Sequence, residues 1–255
     1  MEIIERLERA QEQTWWLPES TFIHEEEDCC FYDHGGHYNI VRFTPPESEI
    51  VSRLTVLREQ IGSRHGYFTY FPHRHGEAVA AALRDAGFYP KERYEARAIH
   101  VERYTRSVPP EIEVLMVQRL EEMRRLYRLR DQVFGGSAPT PDENIRRFFR
   151  DASGPEARVR QFLALDQESG EAISQAGMSL FPELRFAFLF AGGTRVDARG
   201  RGAYTALVAT RIAYARSVGI DYVGIFARED SSAPIVTRQG FERYGVMQRW
   251  GLNGA

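Results

Sequence analysis

The run Arg199-Gly200-Arg201-Gly202-Ala203-Tyr204 places two glycines and two guanidinium groups at the junction of a strand-like and a helix-like segment. Such a junction can hold a phosphate, because a helix start leaves about four backbone N–H groups without partners and carries roughly half a positive charge. Gly200 and Gly202 let an anion approach the backbone, and Arg199 and Arg201 can add charge-assisted hydrogen bonds. The run lacks the Lys-Ser/Thr ending of a P-loop and the three-glycine spacing of a dinucleotide fold.

The elements that must position this run are legible on either side. Phe186 to Ala191 is aromatic and apolar enough for a buried strand, and Gly192 to Val196 continues it, with Gly192 and Gly193 able to permit a bend. Ala203 to Val218 reads as a helix, with Leu207, Val208, Ala209, Ile212, Ala213 and Ala215 facing inward and Gly219 as its left-handed stop. Asp221 to Ala227 reads as the next strand, Ser231 to Gln239 as a short helix, and Val246 to Trp250 as a closing strand after Gly240-Phe241. Glu229 and Asp230 follow the Asp221–Ala227 strand, where a positioned carboxylate could take a proton from an ammonium; otherwise they are solvated loop carboxylates.

The run resembles the coenzyme A pyrophosphate loop of the GCN5-related N-acyltransferases (GNAT), Gln/Arg-x-x-Gly-x-Gly/Ala. Arg199 and Gly202 stand at the first two fixed positions, and Tyr204 departs from the third. The likeness continues through the strand, short helix and Gly240-Phe241, and covers the chain from Glu111 to its C-terminus. It implies a mixed α/β (α+β) fold, a mostly antiparallel twisted sheet with a central parallel strand pair flanked by helices. It implies acetyl-CoA as acyl donor, a primary amine of a small molecule or an amino group as acceptor, and direct attack within a ternary complex. By the same resemblance, Arg199, Gly200, Arg201, Gly202, Ala203 and Tyr204 hold the pyrophosphate, and backbone N–H groups around Thr194, Arg195 and Val196 align pantetheine and polarise the thioester. The tyrosine that many members place four residues before the Gly-Phe glycine falls here on Val236. Ser232 or Tyr204 then stands in as proton donor, or the thiolate leaves unaided. A non-catalytic acetyl-CoA sensor is the alternative that Val236 suggests.

The first half repeats the plan. Tyr67 to Phe71 reads as a strand, Gly76 to Ala86 as a helix, Gly87-Phe88 as the turn, and Tyr94 to Val101 as another strand, the order of the elements from Asp221 to Trp250. Before them, a strand from His37 to Phe43 feeds a helix with Ile50, Val51, Leu54, Leu57 and Ile61 on one face. The junction is Thr44-Pro45-Pro46, whose prolines remove two N–H donors where the other half has its glycines. Two GNAT-like domains are expected: residues 1–108 without a cofactor loop and residues 109–255 with one, divided near Ser107-Val108-Pro109-Pro110. After the boundary, Glu111 to Val117 reads as a strand, Leu120 to Val133 and Pro141 to Arg150 as helices, and Arg160 to Leu165 and Ala172 to Phe181 as strands. The small-residue loop Gly135 to Thr140 corresponds to the region that borders the acceptor in the family.

The 255 residues are 43% hydrophobic and 27% charged, which suits one or two globular domains. A net charge of −3 argues against a general nucleic-acid binder. No basic segment with an apolar run opens the sequence and no stretch of about 18 apolar residues occurs, so a soluble cytoplasmic protein with no membrane partner is expected. Cys29 and Cys30 are adjacent and cannot staple distant segments; they read as strand residues rather than a vicinal redox pair. His34 with His37 and His73 with His75 have metal-like spacings at loop or strand-edge positions, but no cysteine is in phase with them, and no metal is expected; a metal-binding first half is the third reading. Trp15-Trp16 ends an N-terminal helix over Glu2 to Gln13 and reads as closing a core or interface, the alternative being a wall of an acceptor pocket. Glu25 to Asp28 reads as a solvated turn, or as an attractor of a cationic acceptor.

Overall fold

Twice along the chain a strand passes through one helix into a parallel neighbour, a connection too long for a hairpin turn. The computed structural model describes residues 1–13, 17, 21–34, 37–62, 64–135, 139–154 and 156–252. These residues form eleven strands and seven α-helices divided between two compact units. One unit comprises residues 1–97, 226–236 and 243–255, and the other residues 98–225 and 237–242. Trp15-Trp16 and positions 136–138 of the small-residue loop lie outside the described residues.

The first unit contains α1 (Ile3–Glu12), β1 (Phe22–Glu25), β2 (Cys29–His34), β3 (His37–Phe43), α2 (Ile50–Ile61), β4 (His65–Tyr70) and α3 (Pro72–Asp85). It also holds most of β5 (Phe88–His100). The first four strands are neighbours in chain order, with β1–β2 and β2–β3 antiparallel and β3–β4 parallel. In β3, Tyr38, Ile40 and Phe43 join the core that α2 meets with Ile50, Leu54, Leu57 and Ile61, one helical face, while Val41 is buried in a separate cluster with Leu17, Cys30 and Tyr32. Val51, expected on that face, is 69% exposed, because one residue along a helix turns a side chain by about 100°. Aromatic packing fills the centre: Phe43 and Phe68 rings lie 5.4 Å apart and Tyr70 and Trp250 rings 5.3 Å apart.

Three first-half expectations change. The Glu25–Asp28 run is exposed at Glu25, Glu26 and Glu27 but is not simply a solvated turn: Glu25 ends β1 and pairs with Arg42 at 3.4 Å, and Arg53 pairs with Glu26 and donates through Nε to Asp28 at 2.8 Å. His75 is not at a strand edge; it is buried, accepts from the Phe71 N–H through Nδ1 at 3.0 Å, and burial pushes its pKa down to about 3. The second helix begins at Pro72 rather than Gly76, with Gly76 breaking its geometry at φ +66°. Cys29 and Cys30 do lie in a strand, are free and buried, and burial raises their thiols to about 12 and about 11, far from a reactive range.

The second unit carries β6 (Ile112–Met116), α4 (Leu120–Phe134), α5 (Asp142–Asp151), β7 (Val159–Asp166), β8 (Ala172–Phe181), β9 (Phe186–Thr194) and α6 (Ala203–Ser217). The Tyr222–Ile225 part of β10 (Tyr222–Arg228) belongs to it as well. The order is β10-β9-β8-β7-β6, antiparallel except for the parallel β9–β10 pair that α6 connects. Leu207, Val208, Ala209, Ile212 and Ala215 of α6 are buried, and Gly219 stops the chain at φ +78°; Ala213, expected inward, is exposed. α7 (Ser232–Arg238) and β11 (Glu242–Leu252) complete the elements, most of each clustering with the first unit. No described helix is long and apolar enough to cross a membrane.

Candidate functional site

β9 leads into the glycine run with its backbone only partly paired. Its ladder to β10 covers Phe186–Tyr222, Ala187–Val223 and Phe188–Gly224, and no β10 partner is recorded for it from Leu189 onward. On the other side the β8–β9 register shifts between Gln175 and Gly177. Opposite this shift Ala191 takes φ +47°, and the Gln175 side-chain amide donates to its carbonyl at 2.7 Å. The bend is therefore carried by Ala191, not by Gly192 and Gly193. Those glycines serve close packing on opposite faces of the strand. A Cβ on Gly192 would lie 3.0 Å from the Tyr204 ring, and one on Gly193 would lie 2.6 Å from Val133 and 3.0 Å from Phe134.

After β9 a single 3-10 turn, Val196–Ala198, places Arg199 in extended conformation. Gly200 and Gly202 take φ +81° and +85°, a region that side-chain-bearing residues avoid. Gly202 is the N-cap of α6 and no side chain caps the helix; the first intrahelical bond runs from Ala206 N–H to Gly202 at 2.9 Å. The N–H groups of Ala203, Tyr204 and Thr205 thus have no acceptor among the described residues, and nothing stands within 4 Å of where a Gly200 side chain would point. Unmet donors at a helix start are the condition for an anion site.

The two arginines of the run separate in role. Arg201 pairs with Asp166, whose carboxylate also accepts from Ser169 N–H at 2.9 Å and its hydroxyl at 2.8 Å. Ser169 first, then Arg201, lower the Asp166 pKa to about 2. Arg199 is exposed and forms no recorded ion pair among the described residues. If the α6 start holds the acetyl-CoA that the sequence resemblance implies, Arg199→Gln weakens its binding about tenfold and Arg201→Gln by less than about threefold, since only Arg201 must first leave a carboxylate. Calorimetric titration of both variants checks this, and the reverse order would refute it. Arg195 is also engaged: its side chain pairs with Asp197 at 2.8 Å and Glu171 at 3.0 Å, and its backbone N–H donates to Ile173 at 2.9 Å. Of the strand-end donors expected at 194–196, that one is already used within the sheet.

Tyr204, the departure from the motif, packs its ring beside Gly192 instead of reaching over the run. Beneath it lies Arg211, 1% exposed, whose Nε donates to Leu207 O and Nη1 to Gly177 O, both at 3.0 Å. Its Nη2 has no hydrogen-bond partner among the described residues. Burial lowers the Arg211 pKa and raises that of Tyr204, and the Tyr204 and Tyr104 phenols are the groups that favour the guanidinium charge. Sequence reading missed Arg211; its one signal was a charge placed among residues that all face inward. Tyr104 donates to Gln239 at 2.8 Å and Gln239 to the Thr205 hydroxyl at 2.9 Å, which fixes the first turn of α6.

Glu229, Asp230 and Ser232 belong to the first unit. Glu229 pairs with Arg93 at 3.0 Å, and Asp230 accepts from Ser231 at 3.0 Å and Arg228 at 3.2 Å, contacts that lower its pKa. Ser232 opens α7, and Val236 in the same helix is fully buried, so that position offers neither a hydroxyl nor contact with solvent. Glu229 and Asp230 share a surface depression of about 220 Å³ with Lys91, Glu92, Arg93 and Arg228. Glu92 accepts from the Tyr94 hydroxyl at 2.6 Å and was not singled out by the sequence; it is contributed by β5, far away in the chain. Among the described residues no three metal-ligating side chains converge.

The chain matches no protein-family model and no curated protein by sequence. Solved structures do match. A GCN5-related N-acetyltransferase from Kribbella flavida aligns over 99% of this chain and 96% of its own, with TM-score 0.72 and 14% identity. One from Sphaerobacter thermophilus aligns over 91% and 75%, with TM-score 0.66 and 13% identity. A tandem GNAT protein from the clavulanic acid biosynthesis pathway aligns over 92% and 83%, with TM-score 0.64 and 14% identity. An uncapped helix following a bulged strand, and alignments that cover nine-tenths or more of the chain, lead to one conclusion: this protein has the fold of the GCN5-related N-acetyltransferases.

Proposed function

We propose that the chain is an N-acetyltransferase that moves an acetyl group from acetyl-CoA to a primary amine of a small molecule. The observation that carries this reading is the start of α6, where no side chain caps the helix and the first backbone donors are unmet, its N-cap Gly202 standing three residues after the exposed Arg199. In this reading residues 109–255 bind the cofactor and residues 1–108 form a degenerate half. Supporting this, the β3–α2 junction consists of Thr44-Pro45-Pro46 followed by a turn bearing Glu47 and Glu49, which has fewer donors and two carboxylates that repel a phosphate.

Acetyl-CoA supplies a thioester, which needs a polarised carbonyl and a neutral amine. The residues of the α6 start and Arg199 hold its pyrophosphate, and backbone donors near Thr194 and Val196 orient the carbonyl. The acceptor ammonium must lose a proton, directly or through water, and Glu229 and Asp230 are the carboxylates that the sequence offers for it. The amine nitrogen then forms its bond to the carbonyl carbon as the carbon–sulfur bond breaks, and the thiolate takes up a proton from water, Ser232 being the hydroxyl that the sequence offers in place of the missing tyrosine. Tyr204 is assigned no acid role, because its ring is packed against Gly192.

The buried Val236 favours a second reading, an acetyl-CoA-binding sensor. Acetyl-CoA affinity by calorimetry and thiol release across a panel of primary amines decide between them. Binding with amine-dependent thiol release supports the transferase, binding without it supports the sensor, and absence of binding removes both.

A further inference from the structure

The depression at the end of β10 has walls of both charges. Lys91, Arg93 and Arg228 stand against Glu92, Glu229 and Asp230, so its lining is formally neutral. A polycationic acceptor would find as many cations as carboxylates there, and a dianion would meet the converse. Its volume of about 220 Å³ lies below the roughly 300–1,000 Å³ of sites for drug-sized ligands, which excludes a multi-ring acceptor from full enclosure. What fits both size and charge is a small molecule carrying one positive and one negative group close together.

The internal pairings give the orientation. Glu92 is the fixed pole: its side chain is 22% exposed, held by Tyr94 and approached by Arg249 at 3.5 Å. Glu229 with Arg93 and Asp230 with Arg228 form the rim, with exposures of 44% and 50% and of 68% and 50%. Exposed pairs of this kind contribute little and exchange readily with a ligand's own charges. Arg228 spans the two zones, lying 3.6 Å from Glu92 and 3.2 Å from Asp230.

We propose that this depression binds a small free α-amino acid, its ammonium exchanging onto the Glu229 and Asp230 carboxylates and its carboxylate onto the Arg228 guanidinium. The binding site stands on its own; only the fate of the ligand as acetyl acceptor rests on the transferase reading.

Calorimetry on the protein without acetyl-CoA tests it, using the twenty free L-amino acids, their α-amides, putrescine and kanamycin as probes. At least one free amino acid should saturate with Kd of about 1 mM or tighter, and its amide should bind about tenfold more weakly. Arg228→Gln should erase that preference for the free acid without weakening the amide, because it also frees Asp230 for the ammonium, and Arg228→Lys should restore part of the preference. No saturation by any amino acid, tighter binding of putrescine or kanamycin, or an Arg228→Gln protein that keeps the preference would each overturn the proposal. A protein that binds an amino acid but not acetyl-CoA would leave this site standing and remove the transferase reading.

Discussion

Gly202→Glu should abolish acetyl-CoA binding, with affinity falling about 100-fold or more, a loss of about 2.7 kcal/mol. Three effects add. At φ +85° the backbone is in the left-handed region, where a side chain costs about 1–3 kcal/mol unless the turn changes. A Cβ there would lie 2.9 Å from Pro109 Cγ, so the new side chain must push the loop away from the segment that precedes β6. The carboxylate would then stand at the N-cap of α6, where it would satisfy the unmet donors proposed to hold the pyrophosphate and would repel that anion. Gly202→Ala separates the terms, because it retains strain and contact without charge, and should lose binding less severely. Calorimetry with a circular dichroism check of folding is sufficient. Unchanged affinity in Gly202→Glu would remove the loop from the cofactor site.

Gly66→Ala should be the most damaging single methyl in the first unit. Gly66 pairs with Tyr38 in the parallel β3–β4 ladder, and a Cβ on it would overlap the Tyr38 carbonyl oxygen and crowd its ring. Backbone oxygen cannot swing aside as a side chain can, so the ladder must open where Tyr38 and Phe68 are fully buried. Such disruption costs about 3 kcal/mol or more, or about 6–12 °C in Tm for a chain of this size. Gly62→Ala is the comparison: nothing stands within 4 Å of the added carbon, so its cost is backbone strain alone at φ +61° and ψ −130°, about 1–3 kcal/mol and below that of Gly66→Ala. Equal melting temperatures for the two variants would refute the steric argument.

Comparison of particular elements shows which signals were local. The β9–α6–β10 unit was readable because aromatic residues, glycines at φ above zero and helical spacing act within a few residues of each other. Val51 and Ala213 were misplaced by one step around their helices, since apolar character alone does not decide which side of a stripe meets the core. The bulge was assigned to the wrong residues for a different reason. Gly192 and Gly193 permit a bend, yet a bulge arises from the register between two strands, and Ala191 received it because β8 and β9 shift there.

The residues alone were enough to show that one strand-to-helix junction carries two glycines and keeps its N–H donors, whereas the corresponding junction in the first half loses two donors at Pro45 and Pro46. Backbone chemistry explains this: an N–H group is present or missing whatever surrounds it. Long-range packing settled the rest. It turned Tyr204 into the protein, buried Arg211 without a carboxylate, engaged Arg201 with Asp166, and set Glu92 of β5 beside Glu229 and Asp230. Each of these depends on which distant residue occupies the neighbouring space, and a chain of 255 residues offers many candidates until its sheets are paired.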